Sequence, residues 1–150
     1  MVDFMPSKKT KRVATPQLPH PHKIPSYLGP TNLEGQHLAW RFSGADLQDP
    51  FGCHALDFAA YQSLWERMRA FEKMNTDELN RTGSYHDISV RLLSKLAKER
   101  LASMRLDDVE VVHSFRITGG CRLWCMKFGN IMSVLWWDPN HQVYLVRKKN

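Results

Sequence analysis

Arg116 and Arg122 stand on either side of a Gly119-Gly120 pair, and His141 and Tyr144 follow the turn Asp138-Pro139-Asn140. Guanidinium groups are fixed cations whose planar donor fork matches a phosphate. Imidazole exchanges protons near neutral pH. Fixed cations beside a phosphate, with a proton-transferring group in reach, are what phosphodiester cleavage asks of side chains. Lys127, Trp136 and Arg147 add two cations and an indole to the same region. That mixture suits single-stranded RNA, whose bases stack on rings while its phosphates meet cations.

Plainer roles compete with each of these. An arginine on a strand is often only a surface or ion-pair residue. A histidine after a turn proline often just caps the turn, and His113, among apolar neighbours, reads as a satisfied core histidine. Cys121 and Cys125 do not make a metal site, since strand positions four apart lie about 13 Å from each other. The His20-x-His22 pair lacks further ligands. No P-loop, dinucleotide fingerprint or Ser/His/Asp arrangement is present, so neither metal nor cofactor is expected.

Those residues must be held by a small scaffold. The chain has 150 residues, 43% apolar and 24% charged, which is one ordinary globular domain. No apolar run approaches the roughly 20 residues of a membrane span. Three cysteines imply no closed disulfide framework, and a reducing cytoplasm is the expected compartment. The net charge of +6 is unevenly placed: +3 over residues 1–37, −1 over 38–108 and +4 over 109–150. An acidic partner such as nucleic acid is implied, and the C-terminal region is its better candidate surface.

Residues 1–37 read as a disordered arm. They hold six prolines, the polyproline-prone run PQLPHPHKIP and a basic patch of Lys8, Lys9, Lys11 and Arg12. Residues 38–150 read as one domain. Period-two alternation around Leu38, Trp40 and Phe42 predicts a short added N-terminal strand. Leu56, Ala60, Leu64, Met68 and Phe71 predict a helix over residues 55–74. Asn75-x-x-Glu78 is a capping box for a second helix ended by Gly83, and a third is expected from about residue 88 to 104. Four strands follow, over 109–118, 121–128, 131–138 and 142–147, rich in β-branched and aromatic residues. The fold class is α+β, helices followed by a four-stranded antiparallel meander.

A two-residue hairpin at Gly119-Gly120 would place Thr118 opposite Cys121. The helices would then cover one apolar face, and the other would stay open with Arg116, Cys121, Cys125, Lys127, Met132 and Trp136. Arg122 would fall on the opposite face from Arg116. A β-bulge at Gly119-Gly120 would bring the two arginines together.

The stretch Phe115-Arg-Ile-Thr-Gly-Gly-Cys-Arg-Leu-Trp124, followed by WWDPNHQVY with His141 and Tyr144, resembles the central hairpin and C-terminal end of RelE/YoeB-type toxins. These small bacterial proteins cleave messenger RNA on the ribosome. The resemblance covers roughly the last 40 residues and implies a metal-independent endoribonuclease acting on RNA in the translation machinery. It further implies a neutralising antitoxin covering the basic face. Arg116 and Arg122 would hold the scissile phosphate, His141 or Tyr144 would move protons, and Glu110 or His86 would be the opposite partner. Two other classes remain open. One is a non-catalytic inhibitor that binds a replication or translation factor, with Tyr61, Trp65 and Phe71 of the first helix as anchors. The other is a mobile-element protein that binds nucleic acid without cutting it.

Overall fold

The computed structural model describes residues 35–145. Most of the basic N-terminal arm, the end of the expected last strand and Arg147 lie outside the described residues. Strand β1 (Ala39–Arg41) leads to helix α1 (Phe58–Phe71) and helix α2 (Thr76–Thr82). Strand β2 (Tyr85–Ser89) and a single 3-10 turn (Val90–Leu92) precede helix α3 (Lys95–Ser103). Strands β3 (Val111–Arg116), β4 (Arg122–Phe128) and β5 (Ile131–Asp138) follow. The five strands form one sheet in the order β1-β5-β4-β3-β2.

Each helix starts where its sequence supplies an acceptor for an orphan amide. Asp57 accepts from Ala60 N–H (2.7 Å), and Ser94 accepts from Ala97 N–H (3.2 Å). Asn75 and Glu78 form the expected capping box, and Gly83 closes α2 in the left-handed conformation with φ of 67°. The α1 stripe buries Met68 and Phe71 against the sheet.

The class is α+β, but the sheet is mixed and five-stranded rather than a four-stranded antiparallel meander. β1 runs parallel to β5, with Trp40 beside Met132. β2 occupies residues that read as the approach to the third helix, and it pairs antiparallel with β3. No strand forms over residues 142–145. The third helix is shortened because Ser89–Ser94 are used for a strand end, a 3-10 turn and a cap.

Both sheet faces are covered, which overturns the expectation of one open face. Leu38, Phe71, Leu79, Phe115, Leu123 and Trp137 form a core under α1 and α2. Leu101, Val112, Trp124, Leu135, Trp136 and Phe51 form a second core on the face taken by α3. A register shift at Trp124/Cys125 leaves Leu135 as an extra residue on β5, so Leu135 and Trp136 both enter the second core.

A buried ion pair ties the second layer down. Asp46, from the loop after β1, accepts from Arg100 Nε (2.6 Å) and Nη2 (2.8 Å), from the Trp136 indole (3.1 Å) and from Gln48 N–H (3.0 Å). Burial works to raise the Asp46 pKa, but the Arg100 and Gln48 hydrogen bonds and the arginine's charge hold it below the usual carboxylate range. Among the described residues, no helix is long and apolar enough to cross a membrane.

Arg100→Ala leaves that carboxylate buried without its cation and is expected to cost about 3 kcal/mol in urea unfolding. A depressed carboxylate pKa adds stability above the unfolded value near 4, and this is lost as pH falls through the folded value. Asp46→Asn should therefore flatten the acid limb of the stability profile. An unchanged acid limb would remove Asp46 as its source.

Candidate functional site

The hairpin between β3 and β4 determines the site. Ile117 N–H donates to Cys121 carbonyl (3.1 Å) and Cys121 N–H to Thr118 carbonyl (3.1 Å). The loop is thus three residues, Thr118–Gly120, and not two. Neither glycine there adopts the positive φ that the expected two-residue turn requires. The extra residue flips β4, so Arg116 lies directly opposite Arg122, Ser114 opposite Trp124 and Phe115 opposite Leu123. By contrast, the Gly129-Asn130 turn pairs Phe128 with Ile131 as expected, with Gly129 at φ of 62°.

Arg116 and Arg122 therefore share the α3 face of the sheet, at its hairpin end. They line a cavity of about 380 Å³ together with His86, Ser114, Trp124, His141 and Tyr144. His86 enters from edge strand β2, where it pairs with Ser114, and donates through Nε2 to the Gly83 carbonyl (3.1 Å). His141 enters from the loop beyond β5. A Cβ added at Gly120 would lie 3.9 Å from His141 Cδ2, so the imidazole sits against the hairpin tip. His141 holds a left-handed backbone, φ 55°, a conformation histidine enters more readily than most residues.

The two arginines differ in how they are held. Arg122 donates through Nη1 to the carbonyls of Thr118 (3.2 Å), Gly119 (2.9 Å) and Cys121 (3.1 Å), which ties its head to the loop. Among the described residues, the Arg116 side chain makes no hydrogen bond; its backbone is held instead, the carbonyl accepting from Arg67 (3.2 Å) of α1 and the N–H donating to the Ser84 carbonyl (2.8 Å). Burial and the neighbouring Arg116 charge both lower the Arg122 pKa, while Asp138 opposes them. Like charges directly opposite on a sheet are destabilising. An anion between them would relieve that repulsion and meet a donor fork from each strand.

The remaining site residues separate from this cavity. Lys127 lies on the α1 face, because β4 alternates from Arg122. Trp136 is on the arginines' face but 0% exposed, packed on Phe51 and bonded to Asp46, so it cannot stack on a base. Glu110 does not line the cavity. Phe71 is 2% exposed and belongs to the core, so it cannot anchor a partner. Tyr61 and Trp65 are half exposed at 51% and 47%, and they line a separate apolar cavity of about 340 Å³ with Phe42, Leu56 and Trp137. His113 is a core histidine, its Nδ1 2.8 Å from both the Tyr85 hydroxyl and Asp87.

Sequence reasoning passed over Asp138. Its carboxylate is buried and accepts from Gln142 N–H (2.9 Å), Val143 N–H (3.0 Å) and the Trp124 indole (3.4 Å). The signal available was an aspartate opening the turn Asp-Pro-Asn, a residue type that bonds its own backbone further on.

The chain matches no protein-family model, no curated protein and no solved structure.

Arg116→Ala is expected to raise stability by about 0.5 kcal/mol by removing a like-charge pair. Arg122→Ala is expected to lower it by about 1 kcal/mol, because the hairpin loses the charged donor that binds its carbonyls. Urea unfolding of the two variants checks this. Equal effects of one sign would contradict the asymmetry.

Proposed function

We propose that this chain is a small toxin of the RelE/YoeB type that acts on RNA in the cytoplasm, and that the arginine-lined cavity holds the phosphodiester. The observation that carries the reading is the convergence of Arg116, Arg122, His86, His141 and Tyr144 on one concave surface. Two arginines opposite each other across a hairpin can grip non-bridging oxygens from two strands and offset the charge that grows at the transition state. In strand order they lie between His86 and His141, so one imidazole can take the attacking hydroxyl proton while the other protonates the leaving oxygen. Tyr144 borders the same surface and offers a ring to a base or a hydroxyl to the phosphate. Charge stabilisation and proton transfer thus both come from side chains, and the reading calls for no cofactor. An antitoxin would neutralise such a protein by covering the cation pair.

A second reading, a toxin that binds and blocks a protein of replication or translation, is favoured by the apolar cavity beside Tyr61 and Trp65. Phe42, which lines the same cavity, is also exposed.

Induction in a bacterium separates the two. Growth should arrest with messenger cleavage, and Arg116→Ala, Arg122→Ala and His141→Ala should each reduce cleavage about a hundredfold. Arrest with intact messenger, abolished by Trp65→Ala, would favour the protein-binding reading. Cleavage insensitive to all three cavity substitutions would remove the site assignment.

A further inference from the structure

The last residue of β5 organises the cavity without lining it. Asp138 is 1% exposed, and both of its carboxylate oxygens are occupied. Oδ1 takes Gln142 N–H; Oδ2 takes Val143 N–H and the Trp124 indole. These bonds close a small ring of backbone running from Asp138 through Pro139, Asn140 and His141 back to the same side chain. The far end of the ring is pinned again, since Val143 is buried in the second core and its carbonyl accepts from Ser94 N–H (2.8 Å) at the start of α3.

His141 is the residue inside that ring that faces the arginines, and it pays a steric cost to do so. Its left-handed φ of 55° carries a steric cost for any residue with a Cβ, smaller for histidine than for most, and the surroundings must hold it there. The two amide bonds to Asp138 are that imposition. The same carboxylate stands opposite Arg122 in the β4–β5 register, so its charge also opposes the repulsion between the arginines. With its oxygens occupied and no exposed edge, Asp138 is not itself placed to exchange a proton with a substrate.

We propose that Asp138 is a positioning residue: it holds the 139–143 loop in the one conformation that presents the His141 imidazole to an anion gripped by Arg116 and Arg122. This rests on the reading of the cavity as a phosphodiester site. Asp138→Asn is the informative variant, since it keeps shape but turns an amide N–H₂ toward donors that the carboxylate accepted.

The test follows the His141 ring signals by NMR in the full chain during titration with inorganic phosphate, alongside RNA cleavage. In the wild type, phosphate should shift the His141 signals and the side-chain signals of both arginines. In Asp138→Asn the arginine signals should still respond while those of His141 no longer do. RNA cleavage at saturation should fall about a hundredfold, the effect of a misplaced group, with little change in RNA affinity. A His141 response equal in variant and wild type would overturn the positioning role. Absence of any phosphate response in the wild type would instead overturn the reading of the cavity. Should Asp138→Asn fail to fold, amide exchange in the wild type decides: Gln142 and Val143 should exchange far more slowly than Asn140. Equal rates would overturn the clamp.

Discussion

The pairing of Ile117 with Cys121 across the Thr118–Gly120 loop sets which side of the sheet every β4 residue occupies. Leu123 and Cys125 go under α1, and Trp124 goes under α3. Arg122 lands opposite Arg116, an arrangement that like-charge repulsion alone would disfavour. A loop one residue shorter would send Leu123 to the other face and part the arginines. The core and the site thus depend on one register, and the site cannot be lost by slippage without losing the core as well.

Two buried carboxylates complete the α3 side, and each is met by an indole. Trp136 donates to Asp46, and Trp124 donates to Asp138. Buried tryptophans need a partner for the ring N–H, and these carboxylates need donors, so each satisfies the other inside a low-dielectric core. Asp46 also carries the Arg100 ion pair that fastens α3 to the loop after β1. Asp138 fastens the loop carrying His141. The tryptophans that looked suited to base stacking are therefore structural, and the aromatic ring left at the cavity rim is Tyr144.

Much of the scaffold was legible in the sequence where a local rule acts alone. The Asn75/Glu78 box, the α1 stripe, the Gly129-Asn130 turn and the strand character of β3, β4 and β5 depend on neighbours within a few residues. What was not legible depends on distant ones. Tyr85–Ser89 carries three polar residues in five, and only pairing with β3 makes it a strand. The parallel placement of β1 beside β5 joins residues about ninety positions apart. Gly119-Gly120 is compatible with a two- or a three-residue loop, and the difference of one residue inverts the faces of β4. Arg116, Arg122, His141 and Tyr144 were singled out by residue type and do meet. Lys127 changes face with the β4 register, whereas Trp136 keeps the arginines' face and Phe71 keeps its helix stripe, and both are buried by packing from distant elements.

A double-mutant cycle on Arg116 and Arg122 addresses the shared anion site most directly, with the affinity for a single-stranded RNA oligonucleotide measured at one fixed salt concentration. If both guanidiniums grip the same phosphate, Arg116→Ala and Arg122→Ala will be strongly non-additive, and the double variant will bind little more weakly than either single one. Independent, additive losses would mean that the two cations do not serve one site, and would contradict the account.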